Sequence, residues 1–355
     1  MWIFIILVGL IVVVSGLILL VEKMIGAQGE KTITINNETL IPVVGGDTVL
    51  NSLNENKIFI PSACGGKATC GTCKFRLIDH HEPPKPTEVP FLSKDEIDTG
   101  VRLSCQTKVS HDLKIVLPKG LLTAKSFSAV VTAIEPMTYD IKLVRFKLNE
   151  PMNFKPGQYA QIEVPGFDTV RAYSIASDPK NPMEIELIIR QVPNGLATTY
   201  VHKALRVGDK ATLTGPFGDF FLQEKSTRPM IMIAGGSGKA PIRSILYRLM
   251  DLGFPRKATY FFGARAVADL YLTDYFSDVS SKFPNFKYVP ALSALNPGDV
   301  WDGETGLITD VVRRMTDDLS GHEAYLCGSP GMIDACIKVL REKGMPEEHI
   351  YYDKF

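Results

Sequence analysis

Apolar residues fill the N-terminal end of the chain without a break. Residues 2–21 carry no charge, and sixteen of these twenty positions are Leu, Ile, Val or Phe. About 20 apolar residues suffice for a helix to cross the hydrocarbon core of a bilayer. The pattern therefore predicts a transmembrane helix as an anchor over residues 1–22. The alternatives are a buried core helix and a cleaved signal peptide, although a signal peptide needs a basic start and a shorter apolar stretch.

Positive charge after the apolar run predicts its orientation. Lys23 and Lys31 follow the run, and no Lys or Arg precedes it. Because loops rich in Lys and Arg favour the cytoplasmic side, we expect a single-pass protein of the cell inner membrane with its remaining domains in the cytoplasm.

Three further patterns of apolar and polar positions follow along the chain. Lys31–Leu40 alternates β-branched and polar residues around an Asn-Asn pair, which predicts a β-hairpin. Residues from about 123 to 222 form short apolar runs separated by Gly and Pro, which predict a small antiparallel β-barrel. From Met230 onwards, apolar strands alternate with helical stretches, which predict a doubly wound α/β sheet. The predicted domains are 1–22, 30–122, 123–222 and 223–355.

Length, charge and cysteine placement narrow the class of protein. A chain of 355 residues is too long for one ordinary core. Its 39 basic and 39 acidic residues balance, so no positive excess indicates a nucleic-acid partner. Three of the six cysteines fall within ten residues, unlike the spread cysteines of a secreted disulfide framework.

These cysteines form the strongest chemical motif in the chain. Cys64, Cys70, Cys73 and Cys105 have the spacing C-x5-C-x2-C-x31-C. A close trio with one distant cysteine is typical of plant-type [2Fe–2S] sites, which use four thiolates. The glycines inside the motif permit the tight turn that such a site needs. The alternatives are a structural zinc site and plain thiols. A structural zinc site usually has two C-x2-C pairs, whereas this chain has only one, which favours the iron–sulfur cluster.

The segment Ile60–Gly66 and the trio resemble the plant-type ferredoxin module. The resemblance implies a β-grasp ferredoxin fold of the α+β class for residues 30–122. The five-residue gap between the first two cysteines is similar to that in the F subunit family of Na⁺-translocating NADH:quinone oxidoreductases, whereas typical plant-type ferredoxins have four residues there.

Arg171-Ala-Tyr-Ser174 follows a predicted strand and turn. It resembles the R-x-Y-S signature of the ferredoxin–NADP⁺ reductase family, which binds FAD. The resemblance implies that Arg171 pairs with the FAD pyrophosphate through its cationic fork. It also implies that Tyr173 packs on the isoalloxazine or ribityl group, and that Ser174 hydrogen-bonds flavin N5 as a catalytic residue.

A second pyrophosphate contact is expected further along the barrel. Arg190 ends a predicted strand, and residues 195–200 open a helix whose first N–H groups suit a phosphate. The family has a G-x-x-[ST] turn at this place, and Gly215–Gly218 also resembles its turn after the barrel. The additional FAD candidates are therefore Arg190, Gly195, Ala197 and Thr198.

A glycine-rich turn follows the apolar strand that begins the third domain. Residues 235–241 resemble the family's G-G-x-G-x-x-P turn, whose glycines let a pyrophosphate approach the backbone at a helix start. Lys239 departs from the apolar residue usual in this turn. The resemblance implies that the dinucleotide is bound by Gly235, Gly236, Gly238 and Pro241.

Three further segments complete the predicted site. Arg265 follows the next strand, where the family binds the adenosine ribose; no basic cluster follows it to bind a 2′-phosphate, which favours NADH over NADPH. Cys327-Gly328 resembles the family's C-G-x-P turn, which implies that Cys327 lies near the nicotinamide C4 and that Gly328 contacts the cofactor. A packing role is the alternative for Cys327. Phe355 resembles the terminal aromatic residue that covers the flavin, and is a catalytic and cofactor-binding candidate.

Together these resemblances imply an enzyme that moves electrons from NADH through FAD and a [2Fe–2S] cluster to an acceptor. Similarity to the F subunit favours the NADH-input subunit of a membrane NADH:quinone oxidoreductase, with membrane subunits as partners. The alternative is the reductase component of a multicomponent monooxygenase, with a hydroxylase as partner. Two features favour it: the ending Tyr351–Phe355, and a stretch between Tyr159 and Arg171 that is shorter than in the F subunit. A flavin and iron–sulfur redox sensor is the alternative of another class.

Overall fold

The computed structural model describes residues 4, 6–10, 13–17, 29–78, 83–167 and 169–355. The chain divides into two compact units, residues 1–125 and residues 126–355.

The described part of the structure does not support the transmembrane helix predicted for the N-terminal apolar run. Of this run, residues 4, 6–10 and 13–17 are helical, and its other residues lie outside the described part of the chain. Across the described ranges, no helix combines the length and the apolar character needed to cross a membrane. The predicted single-pass location in the inner membrane is therefore wrong.

The first unit contains a five-stranded mixed sheet in the order β2-β1-β5-β3-β4, in which β1 and β5 are parallel and the other pairs antiparallel. Its strands are β1 (Glu30–Ile35), β2 (Thr39–Val44), β3 (Lys74–Leu77), β4 (Val101–Leu103) and β5 (Leu113–Val116). Its helices are α1 (Val49–Glu55) and α2 (Lys94–Asp98). Both asparagines of the predicted hairpin, Asn36 and Asn37, have positive φ, as a tight hairpin turn requires.

Helix α1 begins at a side-chain cap and covers this sheet. The Thr48 hydroxyl accepts a hydrogen bond from the Asn51 N–H at 3.2 Å, which supplies a partner for one of the N–H groups left open at a helix start. The helix buries Val49 and Leu53 in the same core as Ile33 of β1. The cysteine motif begins in the connection between this helix and β3.

The second unit starts with a closed antiparallel sheet in the order β10-β7-β6-β11-β8-β9. A β-bridge between Ile175 and Leu187 joins the two edge strands, so the predicted barrel is confirmed. The strands are β6 (Lys125–Pro136), β7 (Ile141–Leu148), β8 (Tyr159–Glu163), β9 (Val170–Ser174), β10 (Glu184–Arg190) and β11 (Lys210–Phe217). Helix α3 (Leu196–Thr199) continues into a π-helical turn, Tyr200–Ala204.

The remainder of this unit is an all-parallel sheet in the order β15-β14-β13-β12-β16-β17, which confirms the predicted doubly wound domain. Its strands are β12 (Met230–Gly235), β13 (Ala258–Ala264), β14 (Phe286–Leu292), β15 (Glu304–Thr305), β16 (Glu323–Gly328) and β17 (Ile350–Lys354). Its helices are α4 (Lys239–Asp251), α5 (Thr273–Lys282), α6 (Ile308–Met315) and α7 (Pro330–Glu342). Short 3-10 turns elsewhere in the chain are Val89–Phe91, Lys119–Thr123, Gly236–Gly238, Val267–Asp269 and Glu347–His349.

Ion pairs join the barrel to the parallel sheet within the second unit. Arg243 of α4 pairs with Glu186 of β10, and Lys180 pairs with Asp251 at 2.6 Å. Arg145 of β7 holds the other oxygen of Glu186 at 2.7 Å. These pairs hold α4, from Arg243 to its last residue Asp251, against the barrel.

Candidate functional site

The cysteine loop is shaped by residues in the left-handed backbone region. Gly65, Gly66 and Gly71 have φ values of 66°, 82° and 67°, and Ala68 has 54°. At Gly71 a Cβ atom would lie 2.7 Å from the Cβ of Phe91, so a larger residue does not fit there. The chain can therefore fold sharply enough to turn several cysteine side chains toward one point.

The four predicted ligands form two pairs of thiols. Cys73 Sγ lies 3.3 Å from Cys105 Sγ, and Cys70 donates a hydrogen bond to the Cys64 sulfur. All four are free thiols, and Cys64, Cys73 and Cys105 are buried. The hydrogen bond from Cys70 lowers the pKa of Cys64, and the hydrogen bond from Cys73 lowers the pKa of Cys105. The same hydrogen bonds, together with burial, raise the pKa values of the donors Cys70 and Cys73. One thiol of each pair, Cys64 or Cys105, therefore favours the thiolate, which is the form that binds metal.

This pairing suits a binuclear cluster. Among the described residues, no three His, Cys, Asp or Glu side chains are arranged to hold one metal ion. Two cysteine pairs can instead each serve one iron of a four-thiolate [2Fe–2S] centre. The Cys64 sulfur also accepts from the backbone N–H groups of Lys67 and Thr69. Such donors stabilise an anionic cluster, so the residues present fit the group.

A buried ion pair supports the loop, and sequence reasoning missed it. Glu88 is fully buried and accepts from Arg102 Nη2 at 2.7 Å and from the Leu103 N–H at 2.8 Å. Two residues further on, Cys105 belongs to the same turn, and the Ser104 N–H donates to the Cys73 carbonyl at 2.8 Å. Glu88 lies in a Pro-rich segment, and no local pattern there signals a buried carboxylate.

The R-x-Y-S residues lie on β9 of the barrel. Arg171 Nη1 donates to the Thr169 hydroxyl and to the Val170 carbonyl, both at 2.7 Å, which holds the guanidinium close to its own strand. Tyr173 is half-buried, and burial raises its pKa to about 12. Ser174 is buried at the end of the strand, and its hydroxyl donates to Asp353 Oδ2 at 3.2 Å.

The second predicted pyrophosphate contact lies at the end of β10 and the start of α3. Arg190 Nε donates to Asp140 Oδ2 at 2.7 Å. The Val192 N–H donates to the Thr198 hydroxyl at 3.1 Å, and this hydroxyl donates to the Gly195 carbonyl at 3.2 Å. Thr198 therefore holds the turn together through its side chain, while Ala197 is buried beside it.

The glycine turn follows β12 and brings α4 close to β16. A Cβ atom at Gly238 would lie 2.2 Å from the Cys327 carbonyl oxygen, so only glycine allows this approach. Gly236 has a φ of 55°, and its carbonyl accepts from the Tyr271 hydroxyl at 2.7 Å. A Cβ on Gly236 would lie 3.3 Å from Arg190 Nη1, so the turn and the barrel arginine are neighbours. Gly235 ends the strand, and Pro241 is buried in α4.

Cys327 lies beside the turn at the end of β16. It pairs in register with Ala234 of β12 and with Asp353 of β17, and burial raises its pKa well above the ordinary value, so the thiol stays protonated. The Phe355 N–H donates to the Gly328 carbonyl at 3.1 Å, and about half of the Phe355 side chain is exposed. The structure thus brings together Ser174, Cys327 and the last strand.

Asp353 is a second residue that sequence reasoning missed. It is partly buried, and burial raises its pKa, while the hydrogen bond from Ser174 partly opposes the rise. Alternation along β17 places Asp353 on the same side as the half-buried Tyr351, which was the signal available in the sequence. Arg265, by contrast, is exposed at the end of β13, and its carbonyl accepts from the Ala294 N–H at 2.7 Å.

A cysteine-rich loop on a mixed sheet, a closed barrel and a parallel dinucleotide-type sheet define a flavin-dependent iron–sulfur oxidoreductase. Known protein families match the same three parts of the chain. Residues 33–110 match the 2Fe-2S iron-sulfur cluster binding domain, residues 128–222 the oxidoreductase FAD-binding domain and residues 232–338 the oxidoreductase NAD-binding domain.

Two groups of curated relatives span most of the chain. It is 36% identical over 324 residues to the phenol 2-monooxygenase reductase component DmpP of Pseudomonas sp. strain CF600, covering 89% of this chain and 91% of that protein. It is 33% identical over 395 residues to the F subunit of the Na⁺-translocating NADH-quinone reductase of Neisseria meningitidis, covering 98% and 96%. The chain therefore belongs to the family of NADH-dependent reductases that join a [2Fe–2S] ferredoxin domain to FAD- and NAD-binding domains.

Solved structures agree with this assignment. The cytochrome P450 reductase GcoB of Amycolatopsis is 29% identical and superposes with a TM-score of 0.77, covering 92% of this chain and 98% of that one. The ferredoxin reductase of carbazole 1,9a-dioxygenase is 27% identical, with a TM-score of 0.72 and the same coverage. The chain is an enzyme that uses NADH, FAD and a [2Fe–2S] cluster.

Proposed function

We propose that this chain is the reductase component of a multicomponent hydroxylase: it oxidises NADH and passes electrons to a separate oxygenase protein. The alignment lengths carry this proposal. The match to the F subunit spans 395 positions although this chain has 355 residues, so at least 40 of those positions have no counterpart here. The match to the phenol 2-monooxygenase reductase spans 324 positions and covers similar shares of both proteins.

The short connection between β8 and β9 supports the same choice. Only residues 164–169 separate these strands, and the Val164 N–H donates to the Thr169 carbonyl at 3.1 Å, which closes the connection on itself. In the F subunit this is the stretch in which an insertion is expected. Coverage of 98% of the chain nevertheless keeps the NADH-input subunit of a quinone reductase as the second candidate.

The proposed cluster ligands are Cys64, Cys70, Cys73 and Cys105. Their support is the two thiol pairs and the backbone N–H donors around them. Bound FAD and the cluster supply the redox chemistry, because flavin exchanges a hydride for single electrons and the cluster carries one electron at a time. The loop residues supply thiolates and a backbone that surrounds them.

The proposed flavin and dinucleotide contacts all belong to the second unit. Arg171 and Arg190 offer guanidinium groups to the FAD pyrophosphate, and Tyr173 offers a half-buried ring. The remaining proposed backbone contacts are Gly195, Ala197 and Thr198 for FAD, and Gly235, Gly236, Gly238, Pro241, Arg265 and Gly328 for the dinucleotide.

The proposed hydride-transfer region is formed by Ser174, Cys327 and Phe355. Ser174 orients its proton toward Asp353 Oδ2, and Cys327 offers a small protonated side chain next to the dinucleotide turn. Phe355 is held at Gly328 through its N–H and can cover an aromatic ring with its half-exposed side chain. These residues orient and shield the reacting groups, which is how positioning lowers a barrier.

Two measurements test the proposal. Anaerobic NADH should bleach the flavin and cluster absorbance of the purified chain, and a chain that NADH does not reduce would contradict the enzyme assignment. The chain and NADH are then combined with O2, phenol and the oxygenase component of a phenol 2-monooxygenase, or the reduced chain is mixed anaerobically with a short-chain quinone. Hydroxylated phenol formed only with the intact cluster supports the proposal, whereas rapid quinone reduction without hydroxylation supports the second candidate.

A further inference from the structure

Lys239 is completely buried at the first position of α4, directly after the glycine turn. Its ammonium lies 3.6 Å from the ring centroid of Phe262 and 4.6 Å from that of Tyr271. It donates to the Tyr271 carbonyl at 2.6 Å and to the Tyr288 hydroxyl at 3.2 Å. The ring of Phe276, 4.9 Å away, completes an aromatic cage around the lysine.

Burial in this environment is energetically unfavourable for a lysine ammonium. Burial lowers the pKa of Lys239 well below its ordinary value, because the ammonium is taken out of water. Ring faces attract a cation and recover part of that cost. Charged or neutral, the amine can still donate to the Tyr271 carbonyl. A methionine would fill the same space without a polar group. The amine is therefore best explained by the hydrogen bond that it donates to the Tyr271 carbonyl.

Tyr271 links the lysine to the dinucleotide turn. Its carbonyl accepts from Lys239, and its hydroxyl donates to the Gly236 carbonyl at 2.7 Å. Tyr271 is itself buried, packed edge-on against Phe262 at 6.0 Å between ring centroids. Lys239 and Gly236 are three residues apart, so Tyr271 contacts both ends of one turn.

The direction of one peptide follows from this contact. A trans peptide is planar, and its C=O and N–H point in opposite directions. Since the Gly236 carbonyl points at Tyr271, the N–H of Ser237 points away from the cage. Rotation about ψ of Gly236 and φ of Ser237 turns this peptide over, and glycine, which adopts a φ of 55° here, opposes such rotation less than other residues do. The hydrogen bond from Tyr271 therefore acts to hold the peptide in one orientation.

We propose that Lys239 and Tyr271 act as a positioning pair for NADH, holding the Gly236–Ser237 peptide with its N–H directed at the dinucleotide pyrophosphate. The inference rests on the proposed function, in which residues 235–238 bind that pyrophosphate. Neither side chain touches the reacting atoms. Losing the hold therefore weakens dinucleotide binding and leaves the chemical step unchanged.

The test uses the full holoprotein and the NADH–ferricyanide reaction. Lys239→Met removes the amine and keeps the length, and Tyr271→Phe removes one oxygen. Each variant should raise KM for NADH about five- to twentyfold, and Ki for ADP-ribose by the same factor, with kcat within about twofold. The double variant should be no worse than the more affected single variant, because residues that act through one contact are not additive.

Ser244→Ala is the matched control, because Ser244 is a buried polar residue of the same helix that lies away from the turn. It should leave KM and Ki unchanged. Unchanged KM and Ki in Lys239→Met, or additive effects in the double variant, would overturn the inference while wild-type reduction by NADH leaves the proposed function intact. If Lys239→Met loses FAD through misfolding, Tyr271→Phe decides the question by itself.

Discussion

Ser174 and Asp353 are 179 positions apart in the chain, yet the Ser174 hydroxyl donates to Asp353 Oδ2 at 3.2 Å. The first ends a barrel strand and the second lies on the last strand of the parallel sheet. The bond therefore connects the flavin-binding part of the unit to the strand next to Cys327. Burial raises the pKa of Asp353, so its carboxyl keeps a proton to higher pH than an exposed carboxyl does.

The Asp353→Asn variant tests the raised pKa of this carboxyl through two measurements, the melting temperature and the rate of reduction by NADH. A carboxyl whose pKa is raised in the folded state costs stability as pH rises from the unfolded value of about 3.9 through the folded value. The variant should therefore melt at a higher temperature than wild type at pH 7, and the difference should vanish at low pH. If the carboxyl also moves protons near the flavin, anaerobic bleaching by NADH should slow about tenfold or more. Equal melting temperatures at pH 7 would contradict the raised pKa.

The same pair shows what the sequence could predict. Local periodicity correctly predicts the Asn36-Asn37 hairpin, the barrel and the parallel sheet, because alternation and helical spacing report burial within one element. A contact between residues 174 and 353 depends on how two domains pack, which no local pattern encodes. Glu88 was missed for the same reason, since its partner Arg102 lies in another element.

The N-terminal run and Lys239 show two further limits of prediction from local sequence patterns. Apolar composition predicts a membrane span over residues 2–21, whereas no helix within the described chain could serve as one. Hydropathy reports how apolar a segment is, and it does not by itself establish a membrane-spanning helix. In the sequence Lys239 is an extra charge beside a glycine turn, and no local pattern indicates that aromatic residues from β13 and α5 bury it.

Glu88→Gln should destabilise the first unit by about 3–5 kcal/mol, because it leaves Arg102 buried without its charge partner. Burial works to raise the pKa of Glu88, but hydrogen bonds from Arg102 and backbone N–H groups outweigh it, so the pKa lies below its ordinary value. Its stabilising effect is present above the unfolded pKa of about 4.3 and is lost as pH falls. Urea unfolding of the holoprotein, followed by cluster absorbance, measures the loss.

The paired change Glu88→Leu with Arg102→Met is the control for this prediction. It removes both charges, so it should recover much of the stability lost in Glu88→Gln. A single variant as stable as wild type would show that the pair contributes little to the loop.

Arg171→Ala should weaken FAD binding about tenfold to a hundredfold, since a hydrogen bond to a charged group contributes about 1.5–3 kcal/mol. The dissociation constant is measured by titrating the apoprotein with FAD and following flavin fluorescence. Lys147→Ala removes an exposed positive charge from another barrel strand and is the matched control, which should bind FAD like wild type. Equal FAD affinity in both variants would mean that Arg171 only supports its own strand through Thr169 and Val170.

Cys70→Ser should remove the [2Fe–2S] absorbance and EPR signal while FAD stays bound, because a cluster needs four thiolates and the flavin contacts lie in the other unit. NADH–ferricyanide activity should survive, since reduced flavin can pass electrons directly to that small acceptor, whereas transfer to an oxygenase component should fall to background. Cys336→Ser is the control: Cys336 is buried in the core of the parallel sheet, so its loss should leave the cluster spectrum unchanged. A wild-type EPR signal in Cys70→Ser would remove Cys70 from the ligand set and leave the two-pair arrangement without its support.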